Sequence, residues 1–132
     1  MLRARNVVAL VVFAHGIGYL LWFLPAWVPQ LKLGEGKHML LADLTMSDPV
    51  GKVFGLLALV VLVGFVVSAW GIAIEASWWA PLAIASAIGG LLIEIPWWNV
   101  VAPGSAIGAF VVNIAVILMA VMPSWEDRLV HG

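Results

Sequence analysis

Cysteine is absent from the chain, which rules out disulfides, thiolate metal sites and a cysteine nucleophile. Charge is nearly as scarce: Lys, Arg, Asp and Glu together make up 10% of the residues, with a formal net charge of −1. Nucleic acid is thereby excluded as a partner, because binding it requires a basic patch that neutralises phosphates. Histidine occurs three times. His15 alone falls in an apolar run, so a bis-histidine haem lacks its second buried ligand.

What fills the chain instead is apolar. Of 132 residues, 64% are hydrophobic, and the mean hydropathy is +1.13. Ordinary soluble domains are about 45–50% apolar and about 25% charged. A soluble fold of this size would lack the polar residues to cover its own surface. Lipid must be part of the solvent, and the bilayer is the first expected partner.

A spanning helix needs roughly 20 mostly apolar residues. Four stretches qualify: about Asn6 to Leu24, Val50 to Ile72, Trp78 to Trp98 and Gly104 to Met122. None alternates as a barrel strand does, so all four read as helices. The expectation is an all-α integral membrane four-helix bundle, one domain over residues 1–132, made of two antiparallel helical hairpins. Proline punctuates it. Pro25 and Pro29 end the first span; Ser47 and Asp48 can cap the second, with Pro49 in its first turn. Pro81 lies in the first turn of the third, Pro96 closes it, and Pro103 and Pro123 bracket the fourth. The one long connection, residues 25–48, contains "KHMLLADL" (Lys37 to Leu44), either an interfacial amphipathic helix or an ordered loop.

All eight tryptophans lie near predicted span ends, where their rings mark the headgroup levels. Arg3, Arg5 and Arg128 fall on one side, Lys32, Lys37 and Lys52 on the other. The first helix usually sets orientation, which places both termini in the cytoplasm and the chain in the plasma (inner) membrane. "MLRARN" has the charge of a signal peptide, but no small-x-small cleavage site follows the apolar run.

Helices in lipid associate through small residues that let backbones approach. Gly51 and Gly55 form one GxxxG pair, Gly104 and Gly108 another, and these four are the expected helix-packing positions, within the bundle or between copies. "IGYLLWFLPAW" (Ile17 to Trp27) also aligns with "IGGLLIEIPWW" (Ile88 to Trp98). Two hairpins related by an axis along the membrane normal would produce that match.

The informative residues are the polar ones in the apolar runs. His15 lies near the middle of the first span, with Tyr19 one turn on along the same face. Glu94 sits about one turn inside the end of the third span, and Asn113 near the middle of the fourth. A carboxylate at a helix centre costs at least ~2.5–3.5 kcal/mol, less near the end. These side chains must therefore face the bundle interior or a wet cavity. The candidate ligand-binding set is His15, Tyr19, Glu94, Trp98, Asn99 and Asn113, lining a pocket open at the end of the bundle away from the termini. The simpler alternative is interhelical hydrogen-bond glue, worth ~0.6 kcal/mol per bond on average. Glu75, in the turn after the second span, is expected to be solvated only. Glu35 and His38 give one Glu-x-x-His spacing, whereas a di-iron bundle needs two plus two further glutamates. No metal, cofactor or catalytic set is expected.

"AHGIGYLLWF", "LADLTMSDPVGKVFGLLAL", "WWAPLA" and "GAFVVNIAVIL" resemble a family of bacterial four-span membrane proteins. These carry His-Gly-x-x-His in the first helix, a Trp-Trp pair before the third and Val-Asn in the fourth. The layout is similar to the DoxX-like class. The resemblance implies the fold and the membrane location, not an activity. Tyr19 stands where the second histidine of that motif would be, so a two-histidine ligand set is not implied here. Small multidrug-resistance transporters are less similar, because their key glutamate is in the first helix.

Three readings of function follow. The first is a non-enzymatic accessory or small-ligand module that holds a lipid or other small hydrophobic ligand, alone, as a homo-oligomer or in a membrane complex. The second is a proton-coupled transporter with Glu94 as carrier and His15 as relay. The third is a lipid-modifying enzyme with Glu94 as acid and His15 as base.

Overall fold

A computed structural model describes residues 4–28, 48–97 and 103–122. The segments "EGKH" and "KHMLLADL", and the residues Trp98, Asn99 and Trp125, lie outside the described residues. The elements are α1 (Ala4–Gly18), α2 (Leu20–Trp27), α3 (Pro49–Ala73), α4 (Trp79–Glu94) and α5 (Pro103–Val121). The fold is all-α. Helices α1 and α2 act as one span, so four helices pack in chain order, consistent with a four-helix bundle: α1 and α2 against α3, α3 against α4, and α4 against α5.

Three of these spans are long and apolar enough to cross a membrane: Ala4–Leu24, Pro49–Ala73 and Gly104–Val121. The fourth helix, Trp79–Glu94, is apolar but has 16 residues. At 1.5 Å per residue it is about 24 Å long, short of the ~30 Å hydrocarbon core. Of the third predicted span, the described residues 78–97 are thus a helix with turns at both ends rather than a helix throughout. Exposure supports lipid as the surrounding medium. Val53, Val60 and Leu10 are 65%, 66% and 62% exposed, while Glu94, Asn113, Ser68 and Ser86 are buried. Large aliphatics face out and polar groups face in, the arrangement a bilayer rewards. The two serines are satisfied locally. Ser68 Oγ donates to the Gly64 carbonyl at 2.7 Å and Ser86 Oγ to that of Leu82 at 2.8 Å, one turn back along each helix.

Several sequence expectations change in detail. Pro25 does not end the first span, since α2 runs on to Trp27 and the Val28 amide closes it on the Leu24 carbonyl at 2.7 Å. The interruption comes earlier, at Tyr19, whose amide takes the Gly16 carbonyl at 3.0 Å. That three-residue step tightens the helix between two glycines, a common place for a helix to bend. Asp48 occupies the N-cap position of α3 with Pro49 following, but its side chain makes no cap hydrogen bond. Trp22, Trp79 and Trp97 are fully buried, so they build the core, while Trp27, Trp70 and Trp78 are exposed. An indole ring is large and apolar enough to serve either place. Glu75 is not merely solvated: it forms an ion pair with Arg5, tying the start of α1 to the turn between α3 and α4.

The tight interfaces follow the small residues. A methyl added at Gly16 would lie 2.7 Å from Phe65 Cβ, and one at Gly55 would lie 2.7 Å from Ala26 Cβ. Gly51 is buried on the same helix face. Gly104 and Gly108 make no close approach within the described bundle: a methyl at either meets nothing within 4 Å. The fold order explains this. A two-fold relation between the hairpins would pair the α3–α4 interface with an equivalent α5–α1 interface. The first is closed, while α1 and α5 touch only slightly. Among the described residues, the bundle is therefore open along one side.

Candidate functional site

Four polar side chains from three spans meet inside the bundle. The break at Tyr19 ends α1 one turn beyond His15, so both residues project inward from the first span. Glu94 is the last residue of α4, and Asn113 comes from the middle of α5. The Tyr19 hydroxyl donates to Glu94 Oε1 at 2.7 Å. Asn113 Nδ2 donates to the same oxygen at 2.8 Å and to the Tyr19 hydroxyl at 2.7 Å. Asn113 Oδ1 lies 2.9 Å from His15 Nε2. Because the amide nitrogen faces a carboxylate oxygen, the amide oxygen must face the histidine. The hydrogen on the ring is thereby assigned to Nε2.

Aromatic rings pack around the inner side of this cluster. The Tyr19 ring stacks on Phe65 with centroids 5.8 Å apart, and His15 meets Phe65 edge-on at 4.8 Å. Trp22 Nε1 donates to the Trp97 carbonyl at 3.2 Å, and Phe54 packs edge-on against Trp97. These rings cover the cluster at the end of the bundle away from Arg5 and Glu75. Glu94 is 0% exposed, and among the described residues its Oε2 has no hydrogen-bond partner.

The opening is lateral, not at the end of the bundle where the sequence placed it. A cleft of about 420 Å³ lies between α1 and α5, within the ~300–1,000 Å³ typical of small-molecule pockets. Its wall includes His15, Tyr19, Trp22, Gly18, Ser105 and Gly108. His15 and Tyr19 belong both to the cleft wall and to the hydrogen-bonded cluster, whereas Asn113 and Glu94 stand behind them. Of the six sequence candidates, the fold brings these four together. Sequence reasoning missed Ser105, Gly108 and Gly18 as cleft wall. It also missed Gly90, which faces the Tyr19 hydroxyl so closely that no Cβ fits there. The alignment of Ile17–Trp27 with Ile88–Trp98 pairs Tyr19 with Gly90, which was the available signal. No group of three or more metal-ligating side chains occurs among the described residues.

No family model, no curated protein and no solved structure matches the chain.

Proposed function

We propose that the chain is a single-domain, four-span membrane protein that acts without catalysis, as a binding module for a small hydrophobic or lipid ligand. Its site is the α1–α5 cleft, with His15 as the polar group a ligand meets and the buried Tyr19, Asn113 and Glu94 behind it. The observation that carries this reading is the place of His15. Hydrogen-bond glue needs no access to the outside, yet this side chain, bonded to Asn113, is only partly buried and stands on the wall of an open cleft. The non-catalytic part is supported by the position of Glu94. It is wholly buried behind Tyr19, with Asn113 between it and His15. An acid and a base facing one reacting group would need a shared open space.

Both termini are assigned to the cytoplasmic side of a bacterial inner membrane. Support comes from Arg3 and Arg5 ahead of the first span and from the likeness to bacterial four-span proteins.

Photolabelling in nanodiscs with a diazirine-bearing alkyl probe tests the site. Crosslinks should concentrate on peptides containing Ala14, Gly18 and Gly108. They should be lost in Gly108→Leu, which has room for its side chain and keeps the wild-type unfolding temperature. Labelling spread evenly over the outward faces at Val53 and Val60 would overturn the reading.

A proton-carrying reading draws on one observation, the buried Oε2 of Glu94, which has no hydrogen-bond partner among the described residues. That oxygen is free to take a proton. Proteoliposomes should then show pH-driven flux of a cation or metabolite that Glu94→Gln abolishes.

A further inference from the structure

The cleft at His15 does not end there. A second, purely aliphatic slot of about 260 Å³ continues between the same two helices, lined among others by Val7, Val8, Ala115 and Met119. Val11 and Val112 line both spaces, so they form one groove. From Val7 to Trp22 the groove follows fifteen helical steps, about 22 Å along the axis. It is polar at one end only, where His15, Tyr19 and Ser105 lie.

Two properties of the lining narrow the occupant. Among the described residues, neither space has a Lys, Arg, Asp or Glu on its wall. Arg5, the described cation on α1, is paired with Glu75 at the far end. His15 is near the middle of its span, a depth at which an uncompensated ion is expensive. A phosphate head would find no counter-charge there. The hydrogen-bond directions add the second constraint. Nε2 of His15 is committed to Asn113 Oδ1. The Tyr19 hydroxyl already gives its hydrogen to Glu94 and accepts from Asn113. The acceptor left on His15 is Nδ1, and the Ser105 hydroxyl on the cleft wall both gives and accepts. A head group that donates as well as accepts matches that pair.

Resting on the ligand-site reading above, we infer that the α1–α5 groove binds an uncharged single-chain amphiphile with a hydroxyl head. The head donates to His15 Nδ1, and the chain lies along the valine wall. The groove selects against phosphate heads by charge and against ester-only heads by the missing donor.

Binding of three probes with one oleoyl chain, measured by native mass spectrometry of the detergent-solubilised chain, separates these features. The probes are monooleoylglycerol, its phosphate ester and methyl oleate. Monooleoylglycerol should bind at least tenfold more tightly than either. His15→Leu should erase the preference over methyl oleate, and Ala115→Phe should weaken the glycerol probe without altering the order of the three. Equal or tighter binding of the phosphate or methyl ester overturns the inference and leaves the ligand site standing. Failure of all three probes to bind, or binding unchanged in Gly108→Leu, overturns the site and the inference together. So does a groove covered by a second copy, read as a dimer that Gly108→Leu dissociates.

Discussion

Tyr19 and Glu94 are 75 residues apart in the chain and 2.7 Å apart in the bundle, the phenol hydroxyl donating to Oε1. Asn113 donates to the same oxygen, so one carboxylate atom collects two donors from two other helices. Interhelical bonds of this kind hold a membrane bundle in register where leucine contacts cannot, because lipid tails are as apolar as leucine.

The first prediction concerns that acceptor. In Glu94→Gln the side-chain carbonyl still accepts from Tyr19 and Asn113, so thermal unfolding in detergent should shift by less than about 1 kcal/mol. Glu94→Leu fills the space but leaves the buried Tyr19 hydroxyl without its acceptor and takes from Asn113 one of its two. It should be less stable than the glutamine variant by about 1–3 kcal/mol, the cost of an unmade buried hydrogen bond. Equal unfolding temperatures for the two variants would mean the cluster contributes nothing to the fold.

Asn113 both gives and accepts, and its substitutions should separate the two roles. Asn113→Asp keeps the oxygen facing His15 but brings a second carboxyl group against Glu94 in place of a donor. Asn113→Leu removes both functions without adding a charge. The aspartate variant should be the less stable of the two at neutral pH, because an uncompensated buried charge costs more than a lost bond. Circular dichroism melts across pH values test the sign, since the gap should narrow as the added carboxyl is protonated.

A third prediction addresses the end of the bundle where Arg5 and Glu75 pair. Glu75 has φ of 59° in the turn between α3 and α4, a left-handed conformation that costs a residue with a Cβ roughly 1–2 kcal/mol. Glu75→Ala loses the pair and keeps the backbone penalty. Glu75→Gly loses the same pair but removes the penalty, so it should be more stable than the alanine variant by about 1 kcal/mol. The pair itself, half exposed at Glu75, should contribute about 0.2–1 kcal/mol and fade in high salt. Unfolding of both variants and the parent at low and high ionic strength measures each part.

Much of this was legible in the sequence for one reason: a polar side chain in hydrocarbon has few places to go. His15, Tyr19, Glu94 and Asn113 stood out in apolar runs, and inward placement from three helices brings them together. The helix limits were legible to within a few residues, except at α4, whose hydropathy continues into turns at Trp78 and at Pro96. Interface closure was not legible. Gly104 and Gly108 match the spacing of Gly51 and Gly55, yet only the second pair lies on a packed face. Spacing records what a helix permits, not which neighbour arrives. Burial of Trp22, Trp79 and Trp97 was hidden likewise, since an indole suits a headgroup boundary and a core equally well. The Arg5–Glu75 pair depends on how the end of α3 lines up with the start of α1, and no local pattern encodes that.

The least visible participant is Gly90, and it gives the most specific prediction. A Cβ at this position would overlap the Tyr19 hydroxyl and come within 3.0 Å of Asn113 Nδ2. Gly90→Ala should therefore push the Tyr19 ring out of its place and break its bond to Glu94, destabilising the bundle by about 1–3 kcal/mol as overpacking does. Tyr19→Phe alone removes the hydroxyl and leaves Glu94 with one donor fewer, a separate loss of about 1 kcal/mol. In the double variant the methyl meets no hydroxyl, and the bond it would have broken is already gone. The two losses should be less than additive, with a coupling of roughly 0.5–3 kcal/mol between contacting residues. Simple additivity in a double-mutant cycle of unfolding free energies would show that Gly90 acts on some neighbour other than Tyr19.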